Sequence, residues 1–67
     1  MDRKEQVLEL YSRNINNIEK IRLLEELILD FTNEMAAQDQ NMHPEIQNNL
    51  SEGLRLASDY LRELRAS

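Results

Sequence analysis

One histidine, no cysteine and thirteen acidic side chains set the chemistry open to this chain. Nucleophilic catalysis needs a serine, threonine or cysteine beside a base that a third group orients. His43 is the single imidazole base, and it stands in a polar stretch with no glycine-rich elbow and no oxyanion-hole signature. It reads as a loop residue or a helix cap. Carboxylate-bridged metal sites in helical bundles repeat Glu-x-x-His on facing helices, whereas the residue three before His43 is Gln40. Without cysteine there is no thiolate site either. Glu25 and Glu26 are adjacent, so on a helix they diverge, and pairing with charges such as Arg22 is what they suggest. A single glycine, Gly53, excludes the glycine-rich loops that cradle phosphates and dinucleotides. Asn49-Leu50-Ser51 spells a glycosylation acceptor, but in an expected helix of a chain with no secretory signal it reads as chance. No catalytic, cofactor-binding or metal-ligating residue is therefore expected, and the chain is not expected to be an enzyme.

The charge balance narrows the partners. Thirteen acidic against eight basic residues give a net charge of −5, which repels phosphate backbones and removes the electrostatic term behind most nucleic-acid affinity. Direct DNA or RNA binding is not expected. Membrane-surface helices carry Lys and Arg on their polar face, whereas the polar positions here are acidic or mixed, and no segment approaches the length of a membrane span. The mixed charges at the start, Asp2-Arg3-Lys4-Glu5, precede no signal-peptide apolar region. With no cysteine to call for an oxidising compartment, the expected location is the cytoplasm.

The elements that position these residues follow from composition and period. One glycine, one proline and few aromatic residues beside many Leu, Glu, Arg and Gln predict an all-α fold. Val7, Leu8, Tyr11, Ile15 and Ile18 fall on one helical arc, with Glu5, Glu9, Arg13 and Asn16 opposite, which predicts a first amphipathic helix over residues 3–14. A second stripe, Ile21, Leu24, Ile28, Phe31 and Met35 flanked by Leu23 and Leu27, is rotated from the first and predicts a helix over 17–38. Between them lie Asn14, Asn16 and Asn17, residues that favour caps and turns, and Asn16 with Glu19 has capping-box spacing. The alternative is one continuous helix showing different faces to different neighbours. Residues 37–44 lose the period and read as a loop. Pro44 suits the first turn of a third helix over 44–65, with Glu45 complementing its dipole. Its stripe is Ile46, Leu50, Leu54, Ala57, Leu61 and Leu64, with Arg62 and Arg65 at the carboxyl end. Gly53, on the shoulder of that stripe, either admits a close helix or costs about 1 kcal/mol of helix propensity.

Leu24-Glu25-Glu26-Leu27-Ile28 and Glu52-Gly53-Leu54-Arg55-Leu56 resemble segments of the helical hairpin of the exonuclease VII small subunit. That resemblance implies a non-catalytic chain assembling onto a larger protein. It covers two short segments of common helix formers, the loop between them is longer, and the first helix is additional, so the chain is not assigned to that family.

These readings predict a single domain over residues 1–67, a three-helix unit or a helical hairpin with a long first arm, that self-associates into a bundle. A chain this short buries proportionally little apolar surface and has no disulfide or metal to compensate, so a homodimer or higher oligomer is expected. The function expected is that of a small protein-binding module, a regulator, adaptor or accessory subunit of a larger protein. The alternatives are a purely structural homo-oligomeric bundle, or an acidic decoy for a nucleic-acid-binding protein. The candidate contact residues are Leu29, which falls outside the second stripe, and Leu56 and Tyr60, which lie beside the third.

Overall fold

The computed structural model describes residues 2–37 and 43–66. It consists of three α-helices, α1 (Arg3–Tyr11), α2 (Asn17–Ala37) and α3 (Pro44–Ala66), with no strand among the described residues. Asp2 caps α1, its side chain accepting the backbone N–H of Lys4 at 3.0 Å. Arg3, at the first position of the helix, donates its backbone N–H to Asn49 Oδ1 of α3 at 3.1 Å. Asn49 completes a bridge by donating from Nδ2 to Asp2 Oδ1 at 2.9 Å. One amide side chain thus ties the start of α1 to α3.

The asparagine cluster does break the helix. Asn16 Oδ1 accepts the N–H of Glu19 at 2.8 Å and its carbonyl accepts that of Lys20 at 3.0 Å, so Asn16 caps α2. The single-helix alternative is thereby set aside. α3 begins at Pro44, as its missing N–H favours, with the carbonyl of His43 accepting from Gln47 at 3.0 Å. The second helix's expected last residue, Gln38, and positions 39–42 of the expected loop lie outside the described residues.

α1 runs parallel to α3 and antiparallel to α2. Arg3 lies against Asn49 and Tyr11 against Tyr60, whereas Arg3 also pairs with Glu34 and Lys20 lies over Tyr11. Arg65 of α3 pairs with Glu25 of α2, which sets those two antiparallel. Each helix gives two residues to the core: Val7 and Leu10, Leu24 and Phe31, Leu50 and Ala57. Leu23, Leu27, Ile28, Met35, Leu54, Leu61 and Leu64 pack around it. Leu24, Ile28, Phe31 and Met35 of the stripe expected on α2, and Leu50, Leu54, Ala57, Leu61 and Leu64 of that expected on α3, accordingly face inward.

The first stripe is corrected. α1 stops at Tyr11, not at residue 14, and while Val7 is fully buried, Leu8 is 47% exposed and Ile18 is 80% exposed. Leu10, absent from the expected stripe, is in the core. Ile15 and Ile18 belong to the turn and to α2, so continuing the helical count through them turns the apparent apolar face toward Leu8 and away from Leu10. Ile46, expected inward on α3, is 36% exposed because it precedes Asn49, the level at which α1 begins.

Gly53 is buried where α1 crosses α3. A Cβ built there would lie 2.6 Å from Arg3 Cβ and 3.0 Å from Phe31 Cε2. Of the two roles open to this glycine, close helix approach is the one the fold uses.

Candidate interaction surface

His43 is exposed at the start of α3, and no group of three His, Asp or Glu side chains among the described residues could hold a metal ion. Among the described residues, no helix is long and apolar enough to cross a membrane. Three open clefts lie among the described residues. Two adjoining ones of about 260 and 270 Å³ lie between α1 and α2 and share Gln6 and Leu27; a third, of about 280 Å³, lies between α1 and α3. These three are smaller than the roughly 300–1,000 Å³ of typical small-molecule sites.

The three candidate contact residues do not converge. Tyr60 is half-buried and stacks on Tyr11, with ring centroids 3.9 Å apart and planes 15° from parallel. Lys20 Nζ sits 4.9 Å from the Tyr11 centroid, a cation–π contact that adds α2 to the same junction. Leu56 is half-buried against the core and lines the α1–α3 cleft with Lys4, Glu52, Arg55 and Asp59. Leu29, by contrast, is 59% exposed on α2.

Electrostatics organise the seams between helices. Arg3 pairs with Glu34, Lys4 with Glu52 at 3.2 Å and Arg65 with Glu25, so each helix pair carries an ion pair. Glu25 therefore pairs across to α3 and not with Arg22 as expected; Arg22 forms no ion pair among the described residues. The Asn49 amide, then the Lys4 N–H, hold the Asp2 carboxyl below its usual pKa of 3.8 by donating to its charged form.

Ile18 was counted with the first apolar stripe although it lies within the expected second helix. On α2, capped at Asn16, it shares a line with Leu29, eleven residues or about three turns away. The cap was the available signal, since restarting the helical count there puts both on the outer face. Ile18, Arg22, Glu25 and Leu29, spaced four, three and four residues apart, are all exposed. That is the heptad spacing of a helix–helix seam.

Compared with protein-family models, curated proteins and solved structures, the chain matches none of them.

Proposed function

We propose that this chain is a small non-catalytic protein-binding module, a regulator, adaptor or accessory subunit, whose contact surface is the outer face of α2. The observation that carries this reading is the placement of Ile18 and Leu29, large apolar side chains 80% and 59% exposed, on one line of a regular helix. Scattered exposed leucines are ordinary, but two that share a line with heptad-spaced charges between them form a patch that another helix can cover. A net charge of −5 favours a protein over a nucleic acid as the occupant. Self-association belongs to the same proposal, because a patch of this type serves a second copy as readily as a different chain.

The test is the native size of the tagged chain in extracts of its own cell. The wild type is expected to elute in an assembly larger than the 7.9 kDa chain, and Ile18→Glu/Leu29→Glu is expected to shift it toward the monomer while leaving helical content intact. Identical elution of the two would overturn the reading.

A further inference from the structure

We infer that a second copy of this chain occupies the outer face of α2, laid antiparallel across it so that facing residues have numbers summing to 47. This deepens the protein-binding reading and rests on it. A two-fold contact requires a patch complementary to itself after rotation. Rotated about an axis passing between Leu23 and Leu24, the line Ile18, Arg22, Glu25, Leu29 meets that condition. Ile18 falls opposite the partner's Leu29, Arg22 opposite the partner's Glu25, and each pairing occurs twice. The four-three-four spacing places the same four residues in successive a and d positions, the layers through which antiparallel helices pack.

Charge order selects the direction. In a parallel, in-register pair, Arg22 would face Arg22 and Glu25 would face Glu25, and such like-charge layers repel. The antiparallel pair converts both layers to attraction. Arg22 forms no ion pair among the described residues, and its guanidinium fork is suited to a carboxylate across the seam. Glu25 is already held near the face by Arg65, an exposed contact that leaves its carboxylate with acceptor capacity. Residues 18 to 29 span about 16 Å along the helix, a small seam, so the dimer is concentration-dependent.

Two sets of variants test this on the intact chain, with circular dichroism confirming helicity. Arg22→Glu and Glu25→Arg each place like charges in both central layers, and each is expected to dimerise at least tenfold more weakly than the wild type in sedimentation equilibrium. An equimolar mixture of the two restores opposite charges in every layer and is expected to recover wild-type association. Arg65→Ala removes the intrachain pair alone and is expected to dimerise normally. The chain has no cysteine, so engineered thiols report register cleanly. A mixture of Ile18→Cys and Leu29→Cys is expected to form a disulfide-linked dimer on mild oxidation. Neither variant alone is expected to do so, because like positions lie about 16 Å apart against a Cα limit of roughly 7 Å. Self-crosslinking of Leu29→Cys as fast as the mixture, or no recovery on mixing the charge variants, would overturn the pairing. A wild-type chain that stays monomeric while its native assembly still depends on Ile18 and Leu29 would overturn the pairing and retain the protein-binding reading; loss of both would overturn each.

Discussion

Gly53→Ala sets helix propensity against packing. Alanine is favoured over glycine inside a helix by about 1 kcal/mol, so on an open face the substitution would stabilise α3. At Gly53 the new methyl carbon would lie 2.6 Å from Arg3 Cβ, 3.0 Å from Phe31 Cε2 and 3.4 Å from the Arg3 carbonyl carbon, whereas carbon atoms rest at roughly 3.5–4.0 Å. Arg3 Cβ is fixed to the backbone, so no rotamer removes it, and α1 must retreat by about 1 Å to restore that separation. The retreat strains the Arg3–Asn49 hydrogen bond, now 3.1 Å long. Overpacking costs about 1–3 kcal/mol and a weakened hydrogen bond about 0.5–1.5 kcal/mol. Less the propensity gain, the net loss is about 2 kcal/mol. For a domain of this size that corresponds to a fall in Tm of about 8–16 °C. Thermal unfolding followed by circular dichroism measures it, with Ser58→Ala, at an exposed position of α3, as the control expected to melt at or slightly above the wild type. A Gly53→Ala protein as stable as the wild type, or more so, would refute the close crossing of α1 over α3.

Three further outcomes follow from the same contacts. Because the Asp2 pKa is depressed in the folded state, the unfolded chain binds more protons in acid; the stabilisation is fully present above the ordinary carboxylate pKa and is lost as pH falls through the lower folded value. Asp2→Asn should flatten the acid limb of Tm against pH. Asn16→Ala removes the cap of α2 and should cost about 1 kcal/mol in urea unfolding, whereas Asn16→Asp should retain most of it. A double-mutant cycle replacing Tyr11 and Tyr60 with leucine should show a coupling of about 0.5–1.5 kcal/mol from ring stacking; zero coupling would contradict the observed geometry.

What the sequence reveals of this fold is what short-range chemistry specifies. The start of α2 is written in Asn16 and Glu19 and the start of α3 in Pro44, because capping and proline geometry act over three or four residues. The inward faces of α2 and α3 are legible because each helix is long enough to repeat its apolar period several times. α1 has nine residues, too few to average out the intrusion of Ile15 and Ile18, and so Leu10 and Leu8 exchange roles. The bridge from Asn49 to Asp2 and Arg3 and the stacking of Tyr60 on Tyr11 join residues more than forty positions apart, and no local pattern announces them. The candidate surface was half legible. Leu29 stood out as a leucine off the stripe, while Ile18 was masked because the first stripe was counted through the Asn16 cap.

The most direct test of the central claim, that the outer face of α2 holds another protein chain, is site-specific photo-crosslinking in the cell of origin. A photoreactive side chain at position 29 or 18 should give a discrete adduct with a protein, whether a second copy or a different chain, while the same group at the exposed Ser58 position of α3 should give none. Adducts at position 29 no more abundant than at position 58 would contradict the account.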